Sequence, residues 1–244
     1  MKNIKLTIQY DGFGYFGWQI QPDRPTIQYE IKKAIESLTG QDITVNGSSR
    51  TDAGVSALGQ VANIKIDTPV PTENFAKALT ARLPGQISIT EAIETDENFD
   101  AISDTKTKLY RYTIYTGTNR PVMTIRHCWH RPGKLDIEKM DMAAKILVGK
   151  HDFKSFASAA DQRQSSVRTI LQCSVKADSD YIYIETEADG FLYNMVRNIV
   201  GTLVEVGRDR WQPEFIEEIL EKKDRATAGP IASASGLCLM WIKY

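Results

Sequence analysis

The chain lacks the features that assign most proteins to a membrane, secreted or cofactor-bound class. No stretch of its 244 residues approaches the roughly 18 apolar residues of a membrane span. The opening MKNIKLTIQYDGFGYFGW has no uninterrupted apolar run of the secretory kind, so a cytoplasmic protein without membrane association is expected. Cysteine is scarce. Cys128, Cys173 and Cys238 are odd in number, scattered, and form no C-x-x-C pair, which argues against a disulfide framework and leaves reduced thiols. An excess of one charge is also missing: thirty Lys and Arg stand against thirty-one Asp and Glu, a net charge of -1. No general basic field advertises a nucleic-acid partner, and any such site must be built locally. Glycine-rich phosphate loops, nucleotide-binding fingerprints and a Ser-His-Asp signature do not occur, so no cofactor is expected.

What is present is an alternation of strand and helix signals. Ile4, Leu6, Ile8 and Tyr10 alternate with polar residues, the period-2 pattern of a half-buried strand. A helix follows, with Thr26 at its capping position, Glu30 near the capping-box position, and Ile27, Ile31, Ala34, Ile35 and Leu38 at helical spacing before Gly40 stops it. Residues 43–48 and 60–67 read as strands, 72–81 as a helix and 87–94 as a strand. This order is the split βαβ, or ferredoxin-like, arrangement. The remainder repeats it in element order only: a strand at 109–115, a helix at 137–147, a hairpin of 169–177 with 181–188, a long helix from 192 to 206, a shorter one at 213–221 and a last strand at 237–243. The expected fold class is therefore α+β. Two ferredoxin-like halves, residues 1–100 and 101–244, are divided in the polar, acidic stretch Glu94 to Lys106, with helices on one face of an antiparallel sheet and a cleft on the other.

Several residues stand out as candidates for chemistry. Between two strands lies Ser49-Arg50-Thr51-Asp52-Ala53-Gly54-Val55. Asp followed two residues later by Gly is what a tight turn needs; the functional alternative is a turn that projects Asp52 into a cleft as an anionic nucleophile or base. A carboxylate used that way needs a cation to keep it ionised. Arg50 is near in sequence. Arg197 lies at the edge of the apolar stripe Leu192, Met195, Val196, Ile199 and Leu203, and its helical neighbours Tyr193, Asn194, Val200 and Gly201 include no acid. Solubility explains an exposed arginine equally well. Tyr110 and Tyr112, flanked by Lys108 and Arg111, suit a base stacked on a ring, and suit core packing as well. The loop from Asp11 to Gln19 is rich in glycine and aromatics, which fits a nucleic-acid grip or a loop folded on its own core. His127-Cys128-Trp129-His130 has no second Cys/His group at matching spacing, so its role is read as structural and no metal is expected. His151, following a helix, suits a cap on that helix's carboxyl end.

Together these segments resemble the tRNA pseudouridine synthase A family along nearly the whole chain. The resemblance is carried by Tyr10-Asp11-Gly12 through Gly17-Trp18-Gln19, Arg50 to Val55, Gly59-Gln60-Val61, Tyr110-Arg111-Tyr112, Gly149 with His151-Asp152-Phe153, Met195 to Gly201, and Gly236-Leu237 with Leu239. It implies an isomerase that converts uridine to pseudouridine at positions 38 to 40 of the tRNA anticodon stem-loop, without cofactor, as a homodimer. It implies Asp52 as nucleophile, Arg197 as its ion-pair partner and Tyr110 as the ring against the target base; Arg50 is carried as a substrate-binding candidate. Departures from the family pattern are Ser49 and Ser56 in place of Gly and His, and Phe99-Asp100-Ala101-Ile102 where a Phe-His-Ala-Arg run is usual. The last removes two potentially cationic groups and bears on RNA affinity. Ala232-Ser233-Ala234 also lacks the family's proline. Two rival classes fit the bare pattern: a non-catalytic RNA-binding protein on the same fold, and a metabolic enzyme gripping a small acidic substrate through Arg50 and Arg197.

Overall fold

A computed structural model describes residues 1–244. The elements in order are β1 (Lys2–Tyr10), α1 (Ile27–Thr39), β2 (Asn46–Gly47), β3 (Ser56–Ile66), α2 (Thr72–Thr80), β4 (Ile87–Thr95), β5 (Thr107–Tyr115), β6 (Trp129–His130), α3 (Ile137–Ile146), β7 (Gly149–Asp152), β8 (Val167–Asp178), β9 (Tyr181–Ala188), α4 (Met195–Gly207), α5 (Phe215–Lys222) and β10 (Leu237–Lys243). They form two compact units: Met1–Lys106 together with Cys238–Tyr244, and Thr107–Leu237. Both mix helices with predominantly antiparallel strands, so the chain is α+β.

In the first unit the strand order is β4-β1-β3, antiparallel throughout, and β2 and β10 share the far edge of β3. The alternation in β1 fixes the register. Ile4, Leu6 and Ile8 are fully buried and stand opposite Ile64, Ala62 and Gln60. A one-residue slip would turn all three to the opposite face, where each buried side chain would forfeit about 1.5–3 kcal/mol. α2 packs on β4 and α1 against α2, burying Ile27, Ile31 and Ile35 of α1 with Phe75 and Leu79 of α2. The strand expected over 43–48 shrinks to Asn46–Gly47. The Val45 carbonyl is taken by the Gln28 side-chain amide at 2.8 Å, and β10 runs parallel to the start of β3, pairing Cys238 with Ser56 and Leu239 with Ala57.

Thr26 is the residue before α1, but its hydroxyl makes no cap bond and is buried without a partner. The helix start is instead held by its orphan N–H groups: Ile27 donates to the Gly17 carbonyl at 3.1 Å and Gln28 to that of Trp18 at 3.0 Å. The other end stops at Gly40, whose φ of 72° is the left-handed value glycine adopts cheaply.

In the second unit β5, β9 and β8 run antiparallel in that order, with β7 beyond β8 and β6 parallel on β5. One face of this sheet carries the buried Tyr112, Ile114, Ile182, Ile184 and Val175. α3 packs on β8 and contacts α4 and α5. α4 begins three residues later than the sequence pattern suggests, because Asn194 takes a left-handed φ of 62° and interrupts the helix there. His151 lies in β7, opposite Arg168, and its ring nitrogen meets the Val148 carbonyl at 3.2 Å. The segment Ile125 to His130 is a short 3-10 turn followed by β6, and no group of three potential metal ligands occurs anywhere in the chain.

Candidate active site

Asp52 sits in the connection between β2 and β3. It occupies the first position of a β-turn closed by the Val55 N–H on the Asp52 carbonyl at 3.1 Å, with Gly54 at φ 78° in the third position. The tight turn that the Asp-x-Gly spacing calls for is thus present, and Asp52 opens it. The turn is fixed from two sides. On one, Gln60 is fully buried, accepts from the Ser49 N–H at 3.2 Å and donates to the Ser49 carbonyl at 2.6 Å, while the Tyr10 hydroxyl bonds the Thr51 hydroxyl at 2.8 Å. On the other lies the glycine-aromatic loop. Trp18 N–H donates to the Thr51 carbonyl at 3.0 Å, Gly54 N–H to Tyr15 at 3.2 Å, and Gly12 N–H to the Ser56 hydroxyl at 3.1 Å.

Glycine is required where the two segments touch. A Cβ on Gly12 would overlap the Val55 carbonyl, and one on Gly17, which also has φ 87°, would lie 2.5 Å from the Thr51 carbonyl oxygen. The Trp18 ring fills the space over Gly47 and is almost fully buried. The loop from Asp11 to Gln19 thus folds onto the Asp52 turn rather than onto a distant part of the core. Ser49 is buried in this network, while Arg50 points to solvent. Asp52 itself is half-buried. Asp100, one of the departures from the family pattern, accepts from the Ser103 and Ile102 N–H groups, and those bonds, the Ser103 one foremost, hold its pKa below the ordinary carboxylate value.

In the second unit Tyr110 and Tyr112 lie on one face of β5, as alternation requires. Tyr110 is buried, with its ring edge-on to Phe191 at a centroid distance of 5.1 Å. Tyr112 is deeper: its hydroxyl donates to the Ser233 carbonyl at 2.7 Å, and burial pushes its phenol far up, an effect the Arg197 charge partly opposes. Lys108 is on the same face, two residues before Tyr110; burial first, and Arg163 next, push its amine down to about 8. Arg111 points the other way and pairs with Glu185 at 2.6 Å.

Arg197 is the one residue of α4 that is not buried. Its guanidinium is fixed rather than loose on the surface: Nε donates to the Ala232 carbonyl at 2.8 Å and a terminal nitrogen to the Asn194 side-chain oxygen at 3.1 Å. The Ala232 N–H returns a bond to the Arg197 carbonyl at 3.1 Å. Close approach of the 229–232 segment depends on Gly201, where a Cβ would overlap the Pro230 carbonyl, and on Gly229, packed 2.7 Å from Thr202 Cα in the same sense. Sequence reasoning missed Gln60, Tyr10 and this carbonyl-bearing segment as supports. The available signal was Gln60 itself, a polar residue in phase with the apolar face of a strand.

The chain is thus an α+β protein whose first unit displays a turn-borne carboxylate and whose second holds a fixed guanidinium at the single opening of a buried helix. A family described as tRNA pseudouridine synthase matches residues 6–102 and 143–244, the segments carrying Asp52 and Arg197; Tyr110 lies between them. The tRNA pseudouridine synthase A of Caldicellulosiruptor saccharolyticus and the tRNA pseudouridine synthase A 2 of Clostridium perfringens are each 44% identical over 244 residues, covering 100% of both chains. That of Moorella thermoacetica is 44% identical over 246 residues, also at full coverage. Among solved structures, a chain of the archaeal box H/ACA sRNP Nop10-Cbf5 complex aligns with a TM-score of 0.39 and 11% identity, over 92% of this chain and 59% of that one. The protein belongs to the tRNA pseudouridine synthase family and is an isomerase of that class. No helix is long and apolar enough to cross a membrane.

Proposed function

We propose that the protein converts uridine to pseudouridine at positions 38 to 40 of the tRNA anticodon stem-loop, with Asp52 as the nucleophile. The observation that carries this reading is the Asp52 turn, braced by Gln60 on one side and by the Gly12 and Gly17 contacts on the other, in a chain that matches synthases of this name along its full length. Such bracing is what a reacting group needs, since a carboxylate misplaced by about 1 Å can lose two orders of magnitude in rate.

The reaction breaks the N1–C1′ bond, turns the uracil and joins C5 to C1′; the C5 proton is lost and N1 gains one, so atoms balance without oxidant, water or added group. The target must leave its stack to reach Asp52, at a cost of a few kcal/mol. In this reading Arg197 is the second catalytic residue, Tyr110 offers its ring to the target base, and Arg50 contacts the RNA backbone. No cofactor takes part, and the enzyme works in the cytoplasm as a homodimer, with a sedimentation mass twice the 27.4 kDa of one chain.

Unmodified tRNA labelled with tritium at uridine C5 tests the proposal. Tritium release by the purified protein alone, mapped to positions 38 to 40, is expected. Release from another arm would refute the site, and no release from a tRNA the protein binds would refute the reaction.

A further inference from the structure

We infer that Phe16, with Arg24 packed over its ring, is a platform on which an unpaired base beside the target uridine stacks; the inference rests on the tRNA reading above. Three observations within the first unit carry it. The Phe16 side chain is 40% exposed although its backbone is fixed, its N–H donating to the Pro25 carbonyl at 2.9 Å and its carbonyl accepting from the Gln21 amide at 2.9 Å. The Arg24 guanidinium lies 4.3 Å from the ring centroid, and the Gln21–Arg24 bridge ties the two arms of this tongue together. The next residue, Gly17, is the one packed against Thr51 and Asp52, so the aromatic stands one residue from the Asp52 turn.

An apolar ring kept in water gains nothing for the fold by its exposure. One whose backbone is already held gains for binding, because less ordering cost remains to be met when a base arrives. Every nucleobase has a π-face, so such a platform tolerates the different sequences that surround a set of target uridines. The guanidinium on the ring supplies a charge for the adjoining phosphate. Arg50, two residues before Asp52, is exposed as well.

The test uses the full chain carrying Asp52→Asn, so that RNA is bound and not converted, and measures tRNA affinity by filter binding in that background and with Phe16→Leu or Phe16→Tyr added. Phe16→Leu keeps the apolar bulk and removes the π-face; affinity is expected to fall roughly tenfold, with Phe16→Tyr within about twofold of the parent. Thermal midpoints of the three proteins, measured alongside, should coincide. Equal binding by Phe16→Leu would overturn the inference, as would equal weakening by both variants. A change in sedimentation mass of the free protein with Phe16→Leu would overturn it in favour of a protein contact. Tritium release by the unsubstituted chain separates the two claims: release with undiminished Phe16→Leu binding sinks the platform alone, and no release sinks the reaction.

Discussion

A lysine held where water is scarce loses proton affinity, and Lys108 on β5 is such a residue, its amine pushed down to about 8 by burial and by Arg163. Because that value lies below the ordinary 10.5, the unfolded chain binds more protons than the folded one between about pH 8 and 10.5. Stability from this residue therefore rises with pH across that window, and the full cost of the charge returns as pH falls through 8. Urea unfolding of the parent and of Lys108→Met should show the parent gaining about 2 kcal/mol on the variant between pH 7.5 and 10.5; parallel pH profiles would contradict the burial account. At this same scale the candidate site was partly legible. Asp52 announced itself as a turn residue, and Arg197 as a cation with no acidic helical neighbour. What holds them was not legible, because Gln60 reaches Ser49 across a strand pairing and Ala232 reaches Arg197 across 35 residues of chain. Bonds of that kind have no period in sequence.

Glycine in the middle of a helix ordinarily weakens it, so that alanine is worth about 0.5–1 kcal/mol in its place. At Gly201 the packing of one element on another reverses that sign. A methyl group there meets the Pro230 carbonyl, in the segment whose Ala232 carbonyl fixes Arg197. Gly201→Ala is expected to lose about 1–3 kcal/mol in chemical denaturation and to depress turnover along with it; a stabilised variant would show that α4 and the 229–232 segment are not packed as described. Elements were legible where burial imposes a strong period: α1, α2, β1, β9 and β10 lie within a residue or two of their sequence expectations. They were illegible where the backbone found another partner. Residues 43–45 alternate like a strand but carry no ladder bonds, and β7 is a strand too short for any pattern, entered through Gly149 at φ 118°.

At the scale of the whole molecule the chain closes on itself. Its last seven residues belong to the compact unit that begins with Met1, paired to β3 through Cys238 and Leu239, and the Lys106 N–H donates to the Lys243 carbonyl at 2.9 Å. A chain ending at Leu237 would strip that edge of β3 and remove the fully buried Leu239. Its melting midpoint should fall by about 5 °C or more, corresponding to about 2 kcal/mol, and an unchanged midpoint would mean the terminal strand contributes nothing to the first unit. Such a closure also explains why a strand visible in sequence gave no hint of its neighbour: pairing is a property of the assembled chain. In the proposed reaction the attacking group is one carboxylate of that assembly, Asp52. Tritium release from C5-labelled tRNA should be measured for the native protein and for Asp52→Asn, with tRNA binding assayed beside it. A rate lowered at least about a thousandfold while tRNA is still bound is the predicted result; an Asp52→Asn rate within about tenfold of the native one would show that the chemistry belongs to another residue.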